Sequence, residues 1–442
     1  MIMESLQTVL NGLRRSLAAP SRTPRMAVVI GRLLAIAFLL CFGTGLFSHF
    51  LQDPLPWMVF PTRPVFLYQV TQGIHITAGI LCFPLLFAKL YIVFPELFQT
   101  PAVRSFPHFL ERASIAVFVS SSIVQIVTGL LNTYQWYALF PFPFRQTHYA
   151  LSFVIVGSLA IHIAVKLDVI AKHWRKSVAE PSTVAEPTTV AEPVEAPGIS
   201  TSSIPGGAAT RPTLTSSHTR NAVIRVEGVT GRLFAWIDST PRPEPRTSRR
   251  GFLAIVGVAS AAVVALTAGQ SFRLLAGANV FGARKQGVGP NSLPVNRTAT
   301  AAKVRDAASD PDWALTVSNG ATSATYTRAQ LLALPQREVE LPIACVEGWS
   351  QTATWRGVRL GDLVDAVGGR GGSSIRATSL EQNSSYAIMH MGPEYVRDDL
   401  TLVALELNGE TLDLDHGFPA RMIAPGRPGV LQTKWLSTLE VL

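Results

Sequence analysis

The sequence predicts a multidomain protein. It comprises an all-α transmembrane four-helix bundle, one further transmembrane helix, and a mixed α+β, strand-rich C-terminal domain. Three observations predict it. Five runs of about 18 or more mostly apolar residues fall at 26–47, 74–94, 113–131, 148–167 and 252–270. Charge is split, because residues 1–290 hold 25 Lys+Arg against 12 Asp+Glu, whereas residues 291–442 hold 13 against 17. The acidic last third has no long apolar run and breaks into short alternating segments between turns.

Composition narrows the function classes. Of 442 residues, 48% are hydrophobic and only 15% charged, well below the roughly 25% usual for soluble domains. That excludes a disordered or collagen-like chain and an ordinary cytosolic enzyme. The net charge of +9 invites a nucleic-acid reading. The surplus, however, flanks apolar runs and lies in a linker, where it orients helices, so no nucleic acid is expected. Three cysteines, Cys41, Cys82 and Cys345, are too few for a disulfide scaffold or a Cys-rich zinc module.

Taken in order, residues 1–25 form a basic N-terminus carrying Arg14, Arg15, Arg22 and Arg25. Residues 26–176 form the bundle. Its few cations, Arg32, Lys89 and Lys166, lie toward helix ends that can snorkel. Arg104, Arg112, Lys172, Arg175 and Lys176 fall on one side, and only Arg63 and Arg145 on the other. Basic loops stay inside, so the N-terminus is cytoplasmic and the fifth helix carries the chain out. Residues 177–248 read as a cytoplasmic linker, with Ala-Glu-Pro repeated at 179, 185 and 191 and too little apolar surface to offset ordering entropy. A more apolar stretch at 221–240 could dock on the membrane or the bundle.

Residues 249–271 hold the fifth helix. The run Ser248-Arg249-Arg250-Gly251-Phe252-Leu253-Ala254 resembles a twin-arginine export signal and departs from it at Ala254. The resemblance implies a bacterial inner-membrane protein, the twin-arginine export machinery as a partner, and a C-terminal domain loaded with cofactor before export. A plain basic anchor is the alternative. Residues 272–309 read as an extracytoplasmic linker.

Residues 310–442 suit one compact domain. Strands are expected at 313–317, 339–344, 401–407 and 437–442, and helices at 328–333 and 360–367. Cys345 ends a strand. Such a cysteine is often only a buried apolar residue, but an unpaired thiol in an exported domain is an oxidation liability unless ligated. Its thiolate is a soft metal ligand.

Pro342-Ile343-Ala344-Cys345-Val346-Glu347-Gly348-Trp349-Ser350, then Trp355-Arg356-Gly357-Val358-Arg359-Leu360, resembles the sulfite-oxidase-like molybdopterin domain. So do Leu407-Asn408-Gly409-Glu410, Asp415-His416-Gly417-Phe418-Pro419-Ala420-Arg421 and Lys434-Trp435-Leu436. The resemblance implies a Mo-molybdopterin cofactor with Cys345 as the thiolate ligand to molybdenum. It places His416 and Arg421 along the pterin and its phosphate, with Gln432, Thr433 and Lys434 continuing the pocket. The chemistry agrees, since Arg and Lys suit a buried phosphate. One departure bears on substrate. Sulfite oxidases usually place an Arg between the glycine and the Lys-Trp pair, and Gly429-Val430-Leu431-Gln432-Thr433-Lys434-Trp435 has none. The bidentate contact of that Arg is lost. The S-oxides taken by periplasmic methionine sulfoxide reductases are an equal candidate class.

Four histidines, His49, His75, His148 and His162, lie in or at the ends of the apolar runs. An intramembrane His is a functional candidate. His148 and His162 are about 21 Å apart on nearly one helix face. This part resembles four-helix b-type cytochromes of the cytochrome b561 and hydrogenase/formate-dehydrogenase subunit type. The resemblance implies one or two b haems ligated by these histidines, with His49 level with His148 and His75 the partner of His162. His108, His173 and His218 read as surface groups and His390 as structural. Cys41 and Cys82 read as buried apolar residues.

The expected function is a membrane-bound molybdenum oxidoreductase. It would transfer an oxygen atom to or from a small S-oxo substrate outside the cytoplasm, and exchange electrons through haem with the quinone pool or a redox protein. A helix-anchored enzyme using a soluble redox partner and a cofactor-free binding module are the rivals.

Overall fold

The computed structural model describes residues 19–98, 103–139, 142–174, 248–382 and 384–442. Arg14, Arg15, Arg175, Lys176, the Ala-Glu-Pro repeats, the 221–240 stretch and His218 lie outside the described residues.

Five helices are long and apolar enough to cross a membrane. They are α1 (Pro24–Gln52), α2 (Leu67–Val93), α3 (Phe106–Thr133), α4 (Phe144–Val165) and α6 (Arg249–Thr267); the short α5 (Leu167–Trp174) follows α4. Helix starts are set by caps. Thr23, Ser105 and Ser248 each accept from a backbone N–H in the first turn of α1, α3 and α6, satisfying a donor that has no partner within the helix. Leu34, Phe38, Leu86, Phe118 and Ile155 form a common helical core, against which Phe252 and Val256 of α6 also pack. Ile36, Leu39 and Leu40 face outward, as lipid-facing positions would.

At the end of the bundle away from the C-terminal domain, cations are held rather than free. Lys89 Nζ donates to Ala27 O at 2.6 Å, Lys166 pairs with Glu111 at 2.5 Å, and Arg32 stacks on Trp174 at 4.1 Å. The helices outrun the apolar windows at the other end. There α2 begins at Leu67 rather than 74, because its first turns carry Gln69 and Gln72, which bond to protein instead of meeting lipid.

The C-terminal domain has two five-stranded sheets. The first runs β2-β1-β10-β5-β6 and the second β3-β4-β7-β8, with β9 on β7. The strands are β1 (Ala314–Asn319), β2 (Thr322–Thr327), β3 (Gln336–Ala344), β4 (Ser350–Arg359), β5 (Ile375–Ser379), β6 (Ile388–Met391), β7 (Leu402–Leu407), β8 (Glu410–Thr411), β9 (Arg421–Ile423) and β10 (Leu436–Val441). Helix α7 (Arg328–Ala333) starts on a Thr327/Gln330 capping box, and α8 (Leu360–Ala366) follows β4. Strand β10 pairs in parallel with β1, which brings the chain's last strand beside the domain's first and closes the core around Leu315, Leu363, Val403 and Leu439.

The segment read as a linker at 272–309 is largely built into this domain. Leu293 is fully buried with Leu341 and Trp355. Two short helices, Ala299–Ala302 and Arg305–Ala308, pack on Trp435. Apart from Leu293 and Val304, backbone carbonyls, the Asn291 amide and alanines hold the strap, so it shows no hydrophobic period to read from sequence.

Candidate functional site

The β3–β4 hairpin positions Cys345. The strands pair in register to Ala344↔Ser350, and the connection closes with Cys345 N donating to Trp349 O at 2.9 Å and Gly348 N to Cys345 O at 3.0 Å. Gly348 takes φ +101, a region natural to glycine. The thiol is buried, which pushes its pKa well up, and the nearby Glu347 carboxylate adds to this. A thiolate here therefore needs a cationic partner or a metal.

The loop docks directly on a membrane-type helix. Gln72 Nε2 of α2 donates to Val346 O at 3.2 Å and Gln69 Nε2 to Ser350 Oγ at 3.2 Å. Ser271, just past α6, donates its hydroxyl to Gly348 O. A Cβ on Gly348 would lie 2.7 Å from Ile76 Cγ1 of α2. Glu347 accepts from Gln135 of the α3–α4 loop, and Arg284 in turn donates to Gln135 Oε1 at 2.8 Å. Burial raises the Glu347 carboxyl pKa, an effect opposed by the Gln135 amide and the Arg284 charge.

The segment before β10 supplies a second wall. Gln432 Nε2 donates to Arg427 O at 2.8 Å. Its Oε1 and the Thr433 hydroxyl are buried without a hydrogen-bond partner among the described residues. Buried polar atoms of this kind call for a partner. Lys434 Nζ donates to Asp415 O at 2.7 Å and Arg297 O at 2.8 Å. Burial, reinforced by the Arg421 charge, brings the Lys434 ammonium down to about 7.

His416 and Arg421 stand one layer back. His416 Nε2 bonds to Pro290 O at 2.9 Å and Leu293 O at 3.1 Å, pinning the strap. Burial, then the Arg421 and Lys434 charges, lower its pKa to about 4. Arg421 donates to His416 O at 3.1 Å and Gln432 O at 3.3 Å, and burial takes it down to about 9. These two side chains hold the loops that carry Gln432, Thr433 and Lys434.

One cavity of about 820 Å³ joins this wall to the helices. Glu347, Gln432, Thr433 and Lys434 line it from the C-terminal domain, and His49, His75 and His148 from α1, α2 and α4. The His75 and His148 rings meet edge to face, with centroids 6.3 Å apart at 73°. His75 Nδ1 bonds to Cys41 O at 2.8 Å, which fixes the tautomer and leaves Nε2 as the lone-pair nitrogen. That bond uses the Cys41 backbone; the Cys41 thiol, half-buried rather than buried, lies 3.6 Å from the same nitrogen. A Cβ on Gly45 would meet His75 Cε1 at 2.8 Å, so glycine there makes room for the imidazole. His148 Nδ1 is buried without a partner among the described residues.

The two other histidines differ. His49 stacks on Tyr149 at 3.7 Å. His162 lies parallel to Phe118 at 6.3 Å, its Nδ1 without a partner among the described residues, and does not line this cavity. The structure therefore brings His75 to His148, not to His162. The early start of α2 explains the difference, because it puts His75 only about 12 Å below the helix end, within reach of His148. Glu347 has no role assigned by the sequence motifs, and Gln72, Gln135 and Arg145 carry no sequence sign of being pocket residues. They come from separate elements, and no local motif links them.

Among the described residues, no three His, Cys, Asp or Glu side chains are placed to hold a metal ion by themselves. A metal beside Cys345, or between His75 and His148, would need ligands brought by an organic cofactor. The residues present fit such groups. One wall has a cation and unpaired polar atoms, with the Cys345 thiol buried next to the lining residue Val346, and the other has two imidazoles set edge to face.

Residues 301–442 match the family of the oxidoreductase molybdopterin binding domain. The chain is similar to the sulfite oxidase of Arabidopsis thaliana, 31% identical over 113 residues, covering 22% of this chain and 29% of that protein. It is also similar to the mitochondrial sulfite oxidase of Drosophila melanogaster, 31% identical over 159 residues, covering 29% and 27%. An uncharacterized oxidoreductase of Bacillus subtilis is 28% identical over 117 residues, covering 24% and 54%. The chain thus spans less than a third of the length of the first two relatives. Its C-terminal part is a sulfite-oxidase-like molybdopterin-binding domain, joined to a helical part with several apolar helices.

Proposed function

We propose that the chain is a membrane-bound molybdenum oxidoreductase. On this reading the C-terminal domain lies outside the cytoplasm of a bacterial cell, exported by the twin-arginine route, and the helices carry a b haem that exchanges electrons with the quinone pool. The shared cavity, lined on one side by the wall beside Cys345 and on the other by His75 and His148, is the observation that supports it most.

Cys345 would ligate molybdenum. Gln432, Thr433 and Lys434 would hold the pterin and its phosphate, with His416 and Arg421 bracing them from behind. His75 and His148 would ligate the haem iron, each through a neutral imidazole. When bound, the molybdenum cofactor supplies two-electron oxygen-atom transfer and the haem single-electron transfer.

The chain's own residues prepare the chemistry. Reducing an S-oxide breaks one S–O bond, consumes two electrons and two protons, and releases water; oxidising a sulfur substrate runs the same balance backwards. Glu347, buried beside Cys345 with its pKa raised, is suited to hold one of those protons at Oε2. Gln135 keeps that carboxyl turned into the cavity. Gln69, Gln72 and Ser271 fix the Cys345 loop on the helices, so the two cofactor sites keep one spacing without a diffusing partner.

The test is the composition of the full chain purified in detergent after co-expression with cofactor synthesis. Near-stoichiometric molybdenum with b-type absorption is expected. Molybdenum without haem would reduce the helices to an anchor, and neither would leave a binding module on this fold.

A further inference from the structure

Two of the three basic side chains lining the shared cavity are already engaged. Arg297 forms an ion pair with Glu381 at 2.6 Å. Lys434 gives its ammonium to two carbonyls at 2.7 and 2.8 Å. The third, Arg145, sits in the first turn of α4, lines the same cavity, and makes no hydrogen bond or ion pair among the described residues. Residues of both the helices and the C-terminal domain line the cavity with it, and His49 of α1 lies within reach of its charge. Tyr386 lies near enough for the Arg145 charge to oppose the rise that burial imposes on the phenol, and Ser384 and Ser385 line the same stretch. The cavity's two carboxylates are spoken for as well, Glu381 by Arg297 and Glu347 by Gln135.

We infer that Arg145 is the anion-binding residue of the cavity, so that the helical part supplies the cation that holds an oxyanionic substrate. An unpaired guanidinium in a cavity that hydroxyls also line suits an oxyanion through two parallel N–H···O bonds. The segment Gly429–Trp435 has no arginine to do this, and the guanidinium enters instead from the opposite wall. Arg145 selects small sulfur or related oxyanions over neutral molecules of the same size. It is a substrate-binding residue that only the joined domains provide. This deepens the proposed function and rests on the cavity being its substrate site.

The test is equilibrium binding, which needs no turnover. Sulfate, an unreactive oxyanion, is titrated by calorimetry into the detergent-purified full chain. Variants are Arg145→Ala, Arg145→Lys and, as a charge control before α3, Arg104→Ala. Arg145→Ala is expected to weaken sulfate binding by at least about tenfold, the loss of one charge-assisted contact. Arg145→Lys should recover part of it, and Arg104→Ala should match the parent. Haem absorption and molybdenum content should be the same in all four. Sulfate affinity unchanged in Arg145→Ala overturns the inference. Loss or displacement of the b-type absorption in Arg145→Ala with sulfate affinity unchanged also overturns it, because the anion met by Arg145 would then belong to the haem. If the parent lacks haem or molybdenum yet sulfate binding still depends on Arg145, the oxidoreductase reading fails while the anion site stands.

Discussion

The side-chain amide of Gln72, on a membrane-type helix, donates to the backbone carbonyl of Val346 at 3.2 Å. Val346 follows Cys345 directly, and Gln72 lies three residues before His75, on one helix face with it. A single hydrogen bond thus joins the loop of the proposed metal-binding thiol to the turn that carries a proposed haem ligand. Ile76, in the same turn, fills the space that a Cβ on Gly348 would need.

Gln72→Leu keeps the side-chain bulk and removes the bond, leaving Val346 O unsatisfied at a cost of about 1 kcal/mol. Haem and molybdenum content should be retained, while electron exchange between them slows severalfold. Rapid mixing of reduced protein with substrate, followed in the haem bands, checks this.

Gly348→Ala should be worse. It needs a positive φ and pushes a methyl into Ile76, costing on the order of 1–3 kcal/mol. A lower melting temperature and reduced molybdenum loading are expected. A variant that melts and loads like the parent would show that the loop can move off α2.

His148→Ala should abolish b-type absorption from the site it shares with His75, with molybdenum loading unchanged. His162→Ala should leave that site's absorption in place, because His162 lies beside Phe118 and not in the cavity. Difference spectra of the two variants decide it.

The domain should lose stability in mild acid. His416 is held near 4 when folded, against about 6.5 unfolded. Between these values the unfolded chain binds the extra proton, so stability falls as pH drops from 6.5 toward 4. The loss is on the order of 3 kcal/mol at most. Melting curves across this range should show the slope, and His416→Asn, which keeps a donor for the strap carbonyls, should flatten it.

What was legible in the sequence follows the physics of each signal. The five apolar runs lie within, or end close to, their helices, because a nonpolar solvent demands long uninterrupted apolarity. Cys345, His416 and Lys434 stood out through local motifs. The strap at 290–309 did not, because Leu293 and Val304 are too far apart to set a period and carbonyls and alanines hold the rest. Nor did the His75–His148 approach, since apolarity alone starts α2 at 74 and sets His75 at the wrong depth. Arg145, Gln72 and Gln135 looked like loop and helix-end residues. They become pocket residues only when the two halves of the chain meet.

On the proposed function, one chain passes electrons between a Cys345-bound metal and a haem between His75 and His148. The most direct measurement follows the b-type bands in membranes containing the full chain as sulfite, methionine sulfoxide and related oxides are added to oxidised or reduced haem. At least one substrate should move the bands in the parent and none should do so in Cys345→Ser, although both insert equally. Bands that no substrate moves in molybdenum-loaded parent protein, or bands that still respond in Cys345→Ser, would contradict it.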